Sequence, residues 1–360
     1  MLDLLDRRAV RVIVTALIFA VVLAFVYAVR KTLILFLFAL LFAYLLEPVV
    51  GKIQPWVRKS RGLAIVIVYI GLGVIVTVAA ILFGPKIFSE GQRLGQALPS
   101  LYEKVASGNI AFAIGNRHGW TQDTSQKVQS FLAAHQTEIV SAVSAAGARI
   151  AGLLTNLGWI VIIPILGVFF LKDKRDFRVA IQNMVSDGRK RDFLSHLLQD
   201  VDQMLSQFVR AQLLLALVSG LVYTAALATM KVPYAYVLGA AGGLLEFIPL
   251  VGPAVAAVGI IGVCFGLTYQ HILWVVIFLA VWRVIQDYII SPRLLGGKVE
   301  LHPLLTIFGV LAGGEIAGVI GIYLSVPAMA TVRILWVRWR AYTASADLAA
   351  DPTTALLVEK

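Results

Sequence analysis

Long apolar runs recur along the chain, and short polar stretches separate them. Six runs contain about 20 residues, which is the length that an α-helix needs to cross the roughly 30 Å hydrocarbon layer of a membrane. The sequence therefore predicts six membrane-spanning helices, at residues 12–29, 32–51, 63–84, 150–171, 210–230 and 271–290.

Two further apolar runs, residues 236–266 and 303–332, have lengths that fit neither one crossing nor two. A single helix of that length would measure about 45 Å, whereas two equal legs would each measure only about 22 Å. We predict two broken or re-entrant hairpins, named the first hairpin (236–266) and the second hairpin (303–332), whose tip backbone is shielded by protein or lines a cavity. The residues that weaken the two helical centres are Gly242, Gly243, Pro249, Gly252 and Pro253 in the first hairpin and Gly313 and Gly314 in the second.

The composition indicates a chain that is solvated by lipid. Of the 360 residues, 59% are hydrophobic and only 14% are charged, whereas a soluble domain carries about 25% charged residues. The predicted fold class is all-α: a polytopic membrane protein with eight hydrophobic segments and amphipathic helices between segments three and four. The net charge of +11 does not indicate nucleic-acid binding, because the basic residues lie between the apolar runs, where they set membrane topology.

The distribution of basic residues predicts the orientation. If both hairpins turn back, the cytoplasmic loops and termini hold 21 Lys and Arg and the short external connections hold 3. If both runs span instead, the distribution is 19 to 5, which follows the positive-inside rule less closely. Both arrangements place the N- and C-termini in the cytoplasm. The hairpin arrangement also places residues 291–300 there.

Polar stretches divide the chain into five regions. Apolar positions recur at helical intervals from Ile87 to Val143, which predicts amphipathic helices there. We expect the stretch 194–208 to lie along the membrane surface and the chain after Arg340 to be disordered. The regions are a three-helix membrane region (1–84), an extracytoplasmic amphipathic segment (85–149), a fourth span with a basic cytoplasmic amphipathic helix (150–209), a transport region with both hairpins (210–340) and a polar cytoplasmic tail (341–360).

Four charged side chains within apolar segments are the candidate functional residues: Glu246, Glu315, Arg283 and Asp287. Each charge costs about 2.5–3.5 kcal/mol at the centre of a spanning helix, so these groups must pair or contact water. Arg283 and Asp287 are four residues apart and could form a purely structural ion pair, with the glutamates capping broken helix ends. For the glutamates we favour a transport site, because each carboxylate lies beside a Gly-Gly pair in a broken segment. Glu47 is interpreted as an interfacial residue.

Sequence signatures of enzymes are absent. The chain has no H-E-x-x-H, G-x-S-x-G or G-x-x-x-x-G-K-[ST] motif, and its five histidines lack metal-ligand spacing. We therefore predict a non-enzyme without cofactor or metal. Secondary transport remains as the function class.

Specific motifs occur in the C-terminal half. Residues 238–253 read LGAAGGLLEFIPLVGP, residues 291–297 read SPRLLGG and residues 301–306 read LHPLLT. Together with the order of the spans, these motifs resemble the autoinducer-2 exporter (AI-2E) family of bacterial inner-membrane proteins. The resemblance implies a multipass exporter of a small polar quorum-sensing signal that assembles as a homo-oligomer, with a pentamer as the form to test. Some members of that family resemble sodium/proton antiporters.

Three functions remain open. The first is proton- or cation-coupled export of a small polar solute, with the hairpins as opposed gates that bring Glu246 and Glu315 to one level near Arg283. The second is exchange of a monovalent cation for protons. The third is a non-transporting oligomeric scaffold in the membrane lipid, organising partners through residues 85–149. Only the scaffold should tolerate neutral replacement of both glutamates.

Overall fold

The structure, a computed structural model, describes residues 7–57, 60–106, 121–134, 157–295 and 302–350. Every secondary-structure element in these ranges is helical, which confirms the all-α fold class. Within them, six helices are long and apolar enough to cross a membrane; five contain predicted spans, and the sixth contains the second hairpin. The fourth predicted span begins outside the described residues, and its described part starts a helix at Leu157.

The described helices are numbered in chain order. Up to the fourth span they are α1 (Arg7–Ala28), α2 (Arg30–Ile53), α3 (Arg61–Ala106), α4 (Gln122–Ala134) and α5 (Leu157–Asn183). The later elements are α6 (Gly188–Thr229), α7 (Ala235–Leu245), α8 (Val251–Gly266), α9 (Ile272–Ile285), a π-helical turn (Gln286–Ile290), α10 (Ser291–Leu295) and α11 (Pro303–Ala350).

One compact unit comprises Met1–Ile65 and Thr155–Lys174. Within it, Arg61 Nη2 contacts Glu47 Oε2 at 2.7 Å, and Arg61 Nε donates to the Leu171 carbonyl oxygen at 2.7 Å. One guanidinium therefore joins α2, α3 and α5. Glu47, expected at the membrane interface, has a structural partner that accounts for its charge.

The other compact unit comprises Val66–Leu154 and Arg175–Lys360. Its core lies where α6, the first hairpin and α9 meet. Because both legs of the hairpin contribute buried side chains, burial of apolar surface holds the hairpin against α6 and α9. The buried core residues are Tyr223, Leu227, Val232, Ala235, Leu238, Ile260, Cys264, Val275, Leu279 and Trp282.

The first hairpin is broken where the sequence predicts. Helix α7 has 11 residues and α8 has 16, so the legs measure about 16 and 24 Å, each shorter than the hydrocarbon layer. Glu246–Leu250 form the tip, and Leu250 has a φ of 67°, which is strained for a residue with a side chain. The reversal is tight, because a Cβ atom at Gly252 would overlap the Leu245 carbonyl oxygen.

The second hairpin folds back on itself within α11. The backbone leaves the helical conformation at Ala317 and Gly318, and the φ of 60° at Gly318 is accessible to glycine without strain. A Cβ atom at Gly309 would lie 2.9 Å from Met329 Cγ, although twenty residues of straight helix would separate the two positions by about 30 Å. Two antiparallel legs therefore meet at a tip around residue 317. Re-entrance into the membrane stays a prediction for both hairpins.

Three helices continue beyond the apolar runs that predict them. Helix α3 passes residue 84 without a break and ends at Ala106, so the first two predicted regions share a helix. Helix α6 joins the stretch 194–208 to the following span in one 42-residue helix. Because this helix is continuous, the stretch 194–208 follows the axis of the span, which argues against the expected position along the membrane surface. Helix α11 continues through Ala350, so the first part of the predicted disordered tail is helical.

Parts of several predictions lie outside the described residues. In the extracytoplasmic segment these parts include the apolar positions His135, Ile139 and Val143. The parts outside the described residues are 1–6 and 58–59 of the three-helix membrane region, 107–120 and 135–149 of the extracytoplasmic segment, 150–156 of the fourth span, 296–301 of the transport region and 351–360 of the tail.

Polar contacts join α3 to the beginning of the first hairpin. Glu90 Oε2 accepts hydrogen bonds from the backbone N–H groups of Tyr236 at 2.9 Å and Val237 at 3.1 Å. Lys86 Nζ lies 4.5 Å from the centroid of the Tyr236 ring and donates to its hydroxyl at 3.2 Å. The Glu90 carboxylate therefore caps α7, for which Tyr234 supplies no side-chain cap.

A second set of polar contacts joins α5, α6 and α11. Arg178 Nη2 donates to Asp202 Oδ2 at 3.1 Å, and Arg338 Nε donates to Asp200 Oδ2 at 2.5 Å. Asp187 caps α6 by accepting hydrogen bonds from two backbone N–H groups of its first turn, at 3.0 and 3.4 Å. Segments that the charge distribution places in the cytoplasm thus contact one another.

Candidate transport site

Glu246 lies at the tip of the first hairpin, and only 3% of its surface is exposed. Tyr223 Oη donates to Glu246 Oε1 at 2.9 Å, and Gln286 Nε2 donates to Glu246 Oε2 at 2.8 Å. Each carboxyl oxygen therefore has a donor from a different element, α6 or the π-helical turn. Among the described residues, no basic side chain forms an ion pair with this carboxyl group.

Two more buried polar side chains of α6 complete the arrangement. Gln212 Nε2 donates to the backbone carbonyl oxygen of Glu246. Ser219 Oγ accepts from Gln286 Nε2 at 3.3 Å. All five side chains are buried, and we name them the Glu246 cluster: Gln212, Ser219, Tyr223, Glu246 and Gln286.

Close backbone contact between α6 and α7 positions the Glu246 cluster. A Cβ atom at Gly243 would lie 2.5 Å from Gly220 Cα and 2.8 Å from the Ala216 carbonyl oxygen. A Cβ atom at Gly242 would lie 2.8 Å from Tyr223 Cδ2. Helices can approach this closely only where side chains are absent. The Gly-Gly pair ahead of Glu246 therefore sets the distance between the carboxyl group and the donors on α6.

Gln286 begins the π-helical turn that follows α9. The Ser291 N–H donates to the Gln286 carbonyl oxygen, five residues back. Pro292 follows, and proline has no N–H and a ring that clashes with the carbonyl group four residues earlier. The wider π turn relieves that clash, and such turns are frequent at functional sites. The local sequence thus explains the irregularity that adjoins the amide donor of the cluster.

Arg283 and Asp287 form the ion pair that their spacing predicts. Arg283 Nε lies 2.7 Å from Asp287 Oδ2, and the two side chains are 38% and 43% exposed. The pair is satisfied by itself, as the structural interpretation requires, and it flanks Gln286 along the chain. Neither residue donates to or accepts from the Glu246 carboxyl group in a described hydrogen bond.

Glu315 lies three residues before Gly318, near the tip of the second hairpin, and is exposed. Within the described ranges its carboxylate makes no hydrogen bond or ion pair, and the structure does not bring it into the Glu246 cluster. Its neighbours Gly313 and Gly314 permit the fold-back. A Cβ atom at Gly314 would lie 3.3 Å from Ile322 Cγ1, and one at Gly313 would meet the backbone of the opposite leg.

The remaining predicted site residues shape the backbone of the first hairpin. The Val251 N–H donates to the Pro249 carbonyl oxygen at 2.7 Å, and the Gly252 N–H donates to the Ile248 carbonyl oxygen at 2.8 Å. Pro253 lies in the first turn of α8. Backbone N–H groups there have no acceptor within the helix, so the missing N–H of proline costs no hydrogen bond. These residues fold the tip that carries Glu246 to α6.

A buried carboxyl group that forms no ion pair has a defined chemistry. The ionised form is costly in a medium of low dielectric constant unless a proton or a cation neutralises it. Two donors hold the oxygens in place, and the buried Gln286 Oε1 has no hydrogen-bond partner in the described residues. The Glu246 cluster is therefore suited to binding and releasing a single positive charge.

Sequence reasoning identified Glu246 but missed its uncharged partners. Only charged residues within apolar runs were selected, although Gln212 and Gln286 are also costly in hydrocarbon without partners. Counting every side-chain amide in a predicted span would have found them. The buried Tyr223 and Ser219 gave no signal, because their types are common in membrane helices.

Comparisons with known proteins agree with this architecture. Residues 16–341 match the family described as AI-2E family transporter. The protein YrrI of Bacillus subtilis is 26% identical over 324 residues, covering 86% of this chain and 87% of its own length. The AI-2 transport protein TqsA of Escherichia coli K12 is 23% identical over 337 residues, with coverages of 92% and 93%. Because the family match spans nearly the whole chain, this protein belongs to the AI-2E transporter family.

Proposed function

We propose that the protein is a secondary transporter of the bacterial inner membrane that exports a small polar solute in exchange for protons or cations. The proposal rests on Glu246, a buried carboxyl group at the tip of a broken hairpin that has two hydrogen-bond donors and no ion pair among the described residues. Intramembrane carboxyl groups of this kind serve as proton or cation relays in transporters. The solute class is suggested by the relative TqsA, an AI-2 transport protein.

The contacts between polar segments support the proposed topology. Lys86 and Glu90, expected outside, contact the beginning of the first hairpin, and segments expected inside contact one another through Asp200 and Arg338. The fold-back of the second hairpin brings its two ends to the same side. Together with a cytoplasmic C-terminus, this fold-back supports the proposal that residues 291–300 are cytoplasmic.

Cysteine labelling tests this topology. Gly297, which lies outside the described residues, is replaced by cysteine in a Cys264→Ala background, where no native cysteine remains. We expect labelling by a membrane-permeant reagent and none by an external impermeant one. Labelling by the impermeant reagent alone would contradict the re-entrant arrangement.

Flux measurements with Glu246→Gln test the function. Purified protein in proteoliposomes is given a pH gradient and a panel of small polar solutes and monovalent cations. We expect Glu246→Gln to abolish pH-dependent flux with an intact fold, because the Tyr223 hydroxyl can rotate to satisfy an amide. Glu47→Gln is the matched control, since it changes a carboxyl group paired with Arg61 in the other compact unit.

The outcomes separate the candidate functions. Export of a polar solute that depends on Glu246 would identify the exporter. Exchange of a monovalent cation for protons that depends on Glu246, without solute export, would identify the monovalent cation/proton antiporter. Should Glu246→Gln and Glu315→Gln both transport at the parental rate with unchanged pH dependence, the two glutamates have no role in the mechanism. A parental protein that moves none of the solutes or cations in the panel would favour the scaffold. Tyr223→Phe provides a second test with the carboxyl group in place: it removes one donor and should alter the pH dependence of flux.

Homo-oligomer formation is part of the proposal. The Arg283–Asp287 pair is partly exposed among apolar neighbours such as Val284 and Tyr288. A charged pair facing lipid is costly, so a second copy or water should cover this surface. Native mass spectrometry in mild detergent should show an oligomer, and the pentamer is the form to test. A monomer in several mild detergents would refute this part.

A further inference from the structure

The C-terminal part of α11 has one face that is occupied by other helices of the chain. Arg338 Nε contacts Asp200 Oδ2 at 2.5 Å. The ring centroids of Trp339 and Tyr342 lie 6.3 and 5.2 Å from that of Phe193 on α6. These contacts fix the rotation of α11 about its own axis against the beginning of α6.

The opposite face carries two arginines and a tryptophan. Arg333, Trp336 and Arg340 are spaced by three and four residues, so they lie on one side of the helix. Trp336 is 63% exposed, and Val337 beside it is 55% exposed. In contrast to Arg338, the guanidinium groups of Arg333 and Arg340 make no hydrogen bond or ion pair in the part of the chain that the structure describes. We name these three residues, Arg333, Trp336 and Arg340, the α11 basic face.

The position of this face along the helix indicates the membrane boundary. The second leg of the hairpin has no charged residue from Val319 to Val332, and Arg333 is the first. Arg333 and Arg340 are separated by about 10 Å along the axis, which is comparable to the depth of the headgroup region between hydrocarbon and water. An indole between two cationic groups is the composition typical of that region.

The chemistry of the face selects one class of ligand. A guanidinium binds a phosphodiester through two parallel hydrogen bonds. An ammonium-bearing zwitterionic headgroup brings a positive charge towards the two arginines, whereas an anionic headgroup does not. We propose that the α11 basic face binds the headgroup of an anionic phospholipid of the phosphatidylglycerol class. The bound lipid would anchor the cytoplasmic end of α11, and with it the α6 contact at Asp200.

The test measures lipid binding and does not depend on transport. Full-length protein is purified into nanodiscs of phosphatidylcholine with increasing phosphatidylglycerol, and retained lipids are counted by native mass spectrometry. Basic residues near an anionic surface contribute about 1 kcal/mol each. Replacing both Arg333 and Arg340 by Gln should therefore lower the preference for phosphatidylglycerol about thirtyfold.

Two variants make the test specific. Arg338→Gln removes a charge from the occupied face of the same helix and should leave the preference near the parental value. A double Arg333→Lys, Arg340→Lys variant keeps the charge without the bidentate geometry, so it should retain part of the preference. It also supplies a folded sample if the Gln variant does not fold.

Three results would overturn the proposal. The first is an unchanged lipid preference in the double Gln variant. The second is a loss of preference that Arg338→Gln reproduces. The third is a change of oligomeric state in pure phosphatidylcholine caused by the double Gln variant, which would make the face an interface between copies of the chain.

Discussion

Gly243→Ala tests whether close contact between α6 and α7 positions the Glu246 cluster. The added Cβ atom would lie 2.5 Å from Gly220 Cα, whereas ordinary contact begins at 3.4 Å. The helices must therefore separate by about 0.9 Å, because both opposing atoms belong to backbone and neither can rotate away. The Tyr223–Glu246 hydrogen bond, now 2.9 Å, would lengthen to about 3.8 Å, beyond hydrogen-bond range.

The energetic cost of this substitution can be bounded. Overpacking costs about 1–3 kcal/mol, and the better helix propensity of alanine returns up to about 1 kcal/mol. Net destabilisation of at most about 2–3 kcal/mol should leave the protein folded. We therefore expect a large loss of pH-dependent flux in proteoliposomes with only a modest decrease in the midpoint of thermal unfolding.

The chain provides matched glycine controls on α8 and on α6. Gly262 lies on the other leg of the hairpin, and no heavy atom lies within 4 Å of the place that an alanine Cβ would occupy there, so Gly262→Ala should be neutral or slightly stabilising. Gly220→Ala meets Gly243 Cα only at 3.4 Å and should have an intermediate effect. If Gly243→Ala transports at the rate of Gly262→Ala, the proposed role of this helix contact is refuted.

Three further substitutions probe other contacts. A Cβ atom at Gly91 would lie 3.7 Å from Val237 Cγ2, so side chains at these two positions are in contact. A Gly91→Cys, Val237→Cys pair in a cysteine-free background should cross-link and block flux when oxidised and release it with reductant. Equal flux in the reduced and cross-linked protein would mean that this contact is static. Asp187→Ala removes the cap of α6 and should lower stability by about 1 kcal/mol, measured by thermal unfolding, with Asp187→Asn as the conservative control. Arg61→Met leaves Glu47 without its partner and should cost about 2 kcal/mol, more than Glu47→Gln; equal costs in thermal unfolding would contradict the geometry.

The sequence predicts the features that depend on local chemistry. The tip of the first hairpin could be located because Gly242, Pro249 and Gly252 weaken a helix through their own backbone properties, whatever surrounds the helix. Its charged group, Glu246, stood out because an acidic residue is costly in an apolar run. Gln286 could not be assigned to it, since the two residues are forty positions apart and only the packing of α9 against the hairpin brings them together.

Helix ends were harder to predict than apolar runs, for a physical reason. Hydropathy reports where lipid contact ends, whereas a helix ends where its backbone hydrogen bonds stop. Helix α3 passes through Pro85 and continues to Ala106, and α6 begins long before its apolar part. The contact of Glu90 with α7 could not be predicted either, because it depends on that continuation.

The π-helical turn has a consequence for the direction of the chain beyond it. A π turn is an α-helical turn with one residue added, and each added residue rotates everything that follows by about 100° and advances it by about 1.5 Å. Deleting one residue from Gln286–Ile290 would restore a regular helix with Gln286 still following α9, but would swing Ser291–Leu295 about a quarter-turn around the axis. The same five residues therefore carry the amide that holds Glu246 and set the direction in which the chain leaves α9, so a change of register at this turn would alter that direction without moving the amide.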